Sequence, residues 1–186
     1  MVFANPVPAA YATKALTFGS GGIGQGMFKD PRGIGVDRQG NITVANFDDG
    51  RVQTFDAAGE FVSGFSISPD GRKVYVTGMA VGRDGTVYVA HTGKIHVYDS
   101  SGTLLSEIAD DDHRYENVVV GGDGKLYATS DHETIVRFNK DQSIDLEIPD
   151  TFTTVAGDLD IGTSLAADGL GNMYIAGSFH YLVLKY

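Results

Sequence analysis

Four stretches of the chain align on one another without a gap: GIGVDRQGNITVAN (33–46), GMAVGRDGTVYVAH (78–91), NVVVGGDGKLYATS (117–130) and SLAADGLGNMYIAG (164–177). Their turn glycines, Gly40, Gly85, Gly124 and Gly171, are 45, 39 and 47 residues apart. A period of about 40–50 residues is that of one four-stranded propeller blade. The repeat therefore points to an all-β chain whose units stand side by side around an axis.

Each unit reads as a β-meander. Small residues, Val and Ile come first, followed by a tight turn in which glycine supplies a positive φ. The second strand has apolar or small residues at alternate positions: Ile42 and Val44, Val87 and Val89, Leu126 and Ala128, Met173 and Ile175. Alternation with period two signals a strand, and no segment carries a helical period. Third strands follow as RVQTF (51–55), KIHVY (94–98), TIVRF (134–138) and LVLKY (182–186). Phe55, Tyr98, Phe138 and Tyr186 recur at one position there and are expected in the core.

In the first three units a polar turn leads on to a fourth strand. The last unit ends its third strand at Tyr186, and ATKALTFGS (12–20) precedes the first unit as a fourth strand would. The expected fold is a β-propeller of four blades of four antiparallel strands, with repeats near 28–66, 73–108, 116–149 and 161–186. Residues 12–20 are expected to close the last blade and cover its edge. Segment 66–77, SISPDGRKVYVT, is longer than a plain linker and reads as a small extra hairpin between the first two blades. Crowding at the axis accounts for Gly33, Gly35 and Gly78.

Cysteine is absent, which excludes disulfides, thiolate metal sites and cysteine nucleophiles. A net charge of −10 repels phosphate backbones, so nucleic acid is not an expected partner, and basic partners are favoured. No apolar run approaches the ~20 residues of a membrane span. MVFANPVPAAYA has no Lys or Arg ahead of its apolar stretch and is a poor match to a signal peptide. The compartment is left open, an extracellular or virion-associated setting being favoured.

The segment FKDPRGIGVDRQGNITVANFDDGRVQTFDAAGEFVSGF (28–65) resembles the NHL repeat family of β-propellers. The likeness lies in its Pro-x-Gly-Ile-x-Val-Asp opening, its Gly-Asn turn, its Val-Ala-Asn and Arg-Val-Gln strands and its Phe-Asp-x-x-Gly turn. TFGSGGIGQGMF resembles the linker between blades of that family. The resemblance implies a ring, usually of six blades, where this chain has four units. A complete four-bladed ring, part of a longer propeller, and a ring shared with another chain all fit that count.

Propellers bind ligands on the face where the second-to-third-strand loops and the inter-blade linkers emerge, because loops on a rigid scaffold are free to vary. The candidates for ligand binding on that face are Phe47, Asp48, Asp49, His91, Asp131, His132, Phe179, His180 and Tyr181. Histidines from several blades could hold zinc, and paired loop carboxylates such as Asp48–Asp49, Asp110–Asp112 and Asp158 with Asp160 could hold calcium. Neither set has a recognised ligand spacing, so no cofactor is expected. The cluster DDDHRYE (110–116) includes Arg114 and is expected to form internal salt bridges. GSGGIGQG (19–26) lacks the Lys-Ser/Thr and helix of a phosphate loop, and no Gly-x-Ser-x-Gly is present.

The expected role is non-catalytic: a rigid binding or structural scaffold presenting its loop face to a protein or carbohydrate partner. The alternatives are a metal-dependent lyase or hydrolase at the channel mouth, and a subunit of a larger surface or virion assembly or homo-oligomer.

Overall fold

The computed structural model describes residues 16–68, 70–158, 162–179 and 181–186. Four antiparallel meanders follow one another along the chain. Blade 1 is β3 (Pro31–Val36), β4 (Ile42–Asn46), β5 (Arg51–Phe55) and β6 (Phe61–Ser66). Blade 2 is β7 (Val76–Val81), β8 (Val87–His91), β9 (Lys94–Tyr98) and β10 (Leu104–Ile108). Blade 3 is β11 (Tyr115–Val120), β12 (Leu126–Ser130), β13 (Thr134–Phe138) and β14 (Ile144–Ile148). Blade 4 has three strands among the described residues, β15 (Gly162–Ala167), β16 (Met173–Gly177) and β17 (Val183–Lys185). Ahead of them, β1 (Ser20–Gly21) pairs in parallel with β2 (Met27–Phe28).

Aspartates set the hairpins. Asp37 Oδ1 accepts the N–H groups of Gln39 and Asn41, and Gly40 closes that turn at φ 87° with its N–H on the Asp37 carbonyl. Asp168 does the same in blade 4 for Leu170, Asn172 and Gly171. Asp56, Asp99 and Asp141 cap the outer turns by the same side-chain-to-backbone bonds. In blades 2 and 3 the aspartate stands next to the turn glycine instead, Asp84 and Asp123 accepting the N–H groups of Thr86 and Lys125, so each inner turn holds an Asp and a Gly.

Each blade has a front face toward its predecessor and a back face toward its successor. The back of blade 1 (Ala45, Val52, Phe65) meets the front of blade 2 (Met79, Val87, Val89, Tyr98). The back of blade 2 (Ala80, Ala90, Ile95, Val97) meets the front of blade 3 (Val118, Leu126, Val136, Phe138). The back of blade 3 (Tyr127, Ile135) meets Met173, Ile175, Leu165 and Leu184 of blade 4. The inner strands β3, β7, β11 and β15 lie against one another in that order. The expected axial crowding is present: a Cβ on Gly33 would come 2.8 Å from Met79 Cβ, and one on Gly35 would come 2.5 Å from Val81 Cγ2.

Several expectations change. The fourth strand expected from residues 12–20 is not seen in the last sheet. Residues 12–15 lie outside those described, and Phe18 packs on Phe28 of β2 and on Phe55 of blade 1, as Phe65 of β6 packs on Tyr98 of blade 2. With three strands over it, blade 4 leaves Tyr186 over a third exposed, while Phe55, Tyr98 and Phe138 are buried. Among the described residues of segment 66–77 no hairpin pairing is seen. Ser68 Oγ donates to the Arg72 carbonyl and to Asp70, making a turn, and Val74 only bridges to Asp49. A six-residue helix, α1 (Thr151–Ala156), lies between blades 3 and 4. No helix among the described residues is long and apolar enough to cross a membrane.

Candidate functional site

The loop face carries one continuous row of side chains from blade 1 to blade 3. Strand β4 ends in Asn46 and the chain turns through Phe47, Asp48, Asp49 and Gly50. The Phe47 N–H donates to the Asp30 carbonyl and its carbonyl accepts the Val76 N–H, which ties the start of blade 1 to the start of blade 2. The Phe47 ring is covered on one side by the Arg32 guanidinium, 3.7 Å from the ring centre, and faces Tyr75 at 5.2 Å. The Lys73 ammonium lies 5.0 Å from the Tyr75 ring centre. Two facing rings are thus flanked by a cation at either end.

Asp48 and Asp49 do not act as an open acidic pair. Asp48 holds Lys29 at 3.1 Å. Asp49 is bound to the backbone N–H and guanidinium of Arg51 and to Asn46. Burial raises the Asp49 pKa, but these hydrogen bonds outweigh it and hold the carboxyl below its ordinary value. Arg51, so fixed, donates to the carbonyls of Gly22, Gly24 and Met27. Gln53 donates to Met27 and accepts from Gly26. Asp49 therefore acts through Arg51 in clamping residues 20–28 onto blade 1, which is the structural task of the Gly-rich segment.

A cleft of about 240 Å³ opens beside this row, lined by Lys73, Tyr75, Thr77, Thr92, Arg114 and Glu116 among others. A second, of about 610 Å³, adjoins it through Lys73 and carries Lys29, Arg51 and Arg72 with Asp48 and Asp49. Lys29, Arg32, Arg51 and Arg72 are each paired with an aspartate. Among the described residues Lys73 and Arg114 make no ion pair; they flank the smaller cleft, which Glu116 also lines, and Asp48 acts on the Lys73 charge from a distance. The internal bridge in 110–116 is made by His113 to Asp110 at 2.8 Å, with the Tyr115 hydroxyl donating to the same carboxylate. Arg114 takes no part in it.

His91 is buried rather than open to the channel. Its Nε2 is 2.9 Å from His96 Nδ1, and His96 Nε2 is 2.7 Å from the exposed Glu107, which also holds Lys94. Burial first, and the neighbouring His96 second, depress the His91 pKa to about 4. Between pH 6.5 and about 4 the unfolded chain therefore binds a proton that the folded chain does not, so stability falls as pH drops through that window. The urea midpoint should decline more steeply from pH 7 to pH 5 in the parent than in His91→Gln. Equal slopes would contradict this.

The blade 3 loop is structural as well. Asp131 accepts from Ser130 Oγ and the Arg114 N–H, and His132 contacts Glu116 at 3.0 Å. Glu133, which sequence reasoning missed, is buried and takes the N–H groups of Phe152 and Thr153 and the Thr153 hydroxyl, capping α1. Phe179 and Tyr181 are exposed on blade 4, away from the clefts, and His180 lies outside the described residues. Among the described residues no group of three or more His, Asp or Glu could hold a metal ion. Arg32, Lys73, Tyr75 and Arg114 were absent from the expected set because they stand just ahead of the aligned segments 33–46, 78–91 and 117–130, where the units share no pattern.

No family model matches the chain. A 94-residue stretch is 33% identical to Protein brain tumor of Drosophila melanogaster, covering 47% of this chain and 9% of that protein. Among solved structures the chain is similar to U3-55K, with TM-score 0.65 and 16% identity over 84% of this chain and 51% of that one. It is also similar to the WD40 β-propeller domain of Doa1, with TM-score 0.56 and 16% identity over 79% of this chain and 46% of that one. These likenesses concern the fold, a β-propeller of which this chain spans about half the length of either solved relative.

Proposed function

We propose that this propeller is a protein-interaction scaffold whose loop face binds an acidic segment of a partner protein, a carboxylate of which sits between Lys73 and Arg114. The observation that carries the reading is that pair of unpaired cations across a 240 Å³ cleft, on a face where the other described cations are neutralised. Exposed Tyr75 offers an apolar wall beside them. Carboxylates recruit Lys and Arg by charge-assisted hydrogen bonds, and four rigid blades keep the ordering cost of binding low. The net charge of −10 favours basic partners at long range, whereas the cleft selects an acidic group at contact. On this reading the repeats are of the NHL type and the blades serve only to hold the loops.

The test is selection of a random displayed peptide library on the parent protein and on Lys73→Glu, Arg114→Glu. Peptides bearing Asp or Glu should be enriched by the parent and bind the double variant at least about tenfold more weakly, a difference of about 1.4 kcal/mol. Enrichment without acidic residues, or equal binding to both proteins, would contradict the reading. Added salt should weaken the binding, because the charges are on the surface.

A further inference from the structure

Thr43, Tyr88, Tyr127 and Tyr174 occupy one register position on the second strands of the four blades. Each stands opposite the penultimate residue of its inner strand: Gly35, Ala80, Val119 and Ala166. In three blades the hydroxyl has a partner in its own blade. Thr43 shares a hydrogen bond with Thr54, Tyr127 donates to Asp123 Oδ2 at 2.7 Å, and Tyr174 donates to Asp168 Oδ2 at 3.3 Å. Tyr88 breaks the series. Asp84 holds the place of Asp123 in its turn, but its carboxylate accepts from Thr86, and the Tyr88 hydroxyl has no hydrogen-bond partner among the described residues. Partial burial first, and the Asp84 charge second, hold the phenol above its ordinary pKa, so it stays an O–H donor.

That hydroxyl belongs to a cavity of about 310 Å³ between the back of blade 2 and the front of blade 3. Asp84 and Gly124 reach it from the inner turns, and Asn139, Lys140 and Gln142 from the outer turn of blade 3. Leu126, Phe138 and the Tyr88 ring form its apolar side. Lys125, also in the lining, is held by Asp145, whereas Lys140 makes no ion pair among the described residues. The Asp84 carboxylate keeps acceptor capacity beyond its bond from Thr86. Gln142 donates from Nε2 to Ser106, which leaves its amide oxygen as an acceptor. It sits at φ 70° where the outer turns of blades 1 and 2 have Gly59 and Gly102, a strained conformation of the kind found at ligand sites.

We infer that this cavity binds a neutral polyhydroxylated molecule, one sugar unit of a carbohydrate. An anion would meet Asp84, and a cation would meet Lys140. A sugar ring satisfies both, since its hydroxyls donate to Asp84 and Gln142 and accept from Lys140 and Tyr88. Its C–H face suits the Tyr88 ring. The volume lies at the lower end of the range for ligand pockets, about 300–1,000 Å³, as one small ring requires. Strand β8 begins at this cavity and ends at the cleft flanked by Lys73 and Arg114, so the two sites are separate and neither reading rests on the other.

Amide shift mapping by NMR tests the inference, with glucose, galactose, mannose and N-acetylglucosamine each titrated to about 50 mM, because a lone sugar unit makes few contacts. At least one of the four should shift Asp84, Gly124, Lys140 and Gln142 most. Tyr88→Phe should weaken that binding at least about fivefold. The same variant should keep the parent melting temperature, because its hydroxyl has no partner in the fold, whereas Tyr127→Phe should lower it. Free glycine, a zwitterion, is the control ligand. No response to any of the four sugars, shifts centred elsewhere, or a response to glycine alone would overturn the inference. So would parental sugar binding by Tyr88→Phe, or equal melting losses in the two variants.

Discussion

Replacing Phe138 by alanine is expected to lower the unfolding free energy by about 3–5 kcal/mol. Phe138 is 1% exposed, packs edge-on against Tyr115 at 5.5 Å, and belongs to the apolar cluster that joins blades 2 and 3. Both its transfer energy and the cavity it leaves count against the variant, because backbone hydrogen bonds keep the flanking strands from collapsing inward. For a chain of this size the melting temperature should fall by roughly 6–20 °C. Leu170→Ala serves as the contrast: that side chain is 91% exposed, and its loss should cost no more than about 0.5 kcal/mol. A cost below about 1 kcal/mol at Phe138 would mean that the blade register is wrong.

Gly78→Val should be at least as damaging. A Cβ at Gly78 would stand 2.7 Å from the Glu116 carbonyl oxygen and 2.9 Å from Asn117 Cα and Val118 N. Those are backbone atoms of β11, so no side chain can swing aside and the two inner strands must separate. Overpacking typically costs about 1–3 kcal/mol, and a clash with backbone on a β-branched residue belongs at or beyond the top of that range. At Gly169 a Cβ meets nothing within 4 Å, so Gly169→Ala should be nearly silent in the same thermal melt. Equal melting temperatures for the two variants would remove the axial-crowding argument.

The blade register was legible because its causes are local. A turn aspartate, a glycine one or three residues on, and period-two apolar strands recur in each unit, and the structure puts Ile42, Val87, Leu126 and Met173 at equivalent places. The departures come from single contacts that no repeat encodes. Helix α1 exists because Glu133, in a neighbouring loop, satisfies its first N–H groups, and six residues are too few to show a period. In segment 66–77 the Ser68 hydroxyl is bonded to Asp70 and to the Arg72 carbonyl, and no pairing of the segment with itself is seen among its described residues.

The site was less legible for the same reason. Asp49 and His91 look like ligands in a string of letters, but Arg51 and His96, brought alongside by strand pairing, occupy them. Lys73 and Arg114 are unremarkable in sequence and become a pair only when blades 2 and 3 stand side by side. Val183 is exposed whereas Val52, Ile95 and Ile135, at the same register on their blades, are buried, and alternation, which is the same in all four units, does not show that difference.

Cysteine-free sequence makes one measurement especially direct: thiol labelling of single cysteines at Val52, Ile95 and Ile135, and at Val183 in the monomeric protein. If blades stack back to front in a series with a free end, the first three thiols should stay protected until the protein unfolds, and the fourth should react at the rate of an exposed thiol. Rapid labelling at any of the first three, or protection of Val183→Cys in the monomer, would contradict the arrangement of blades described above.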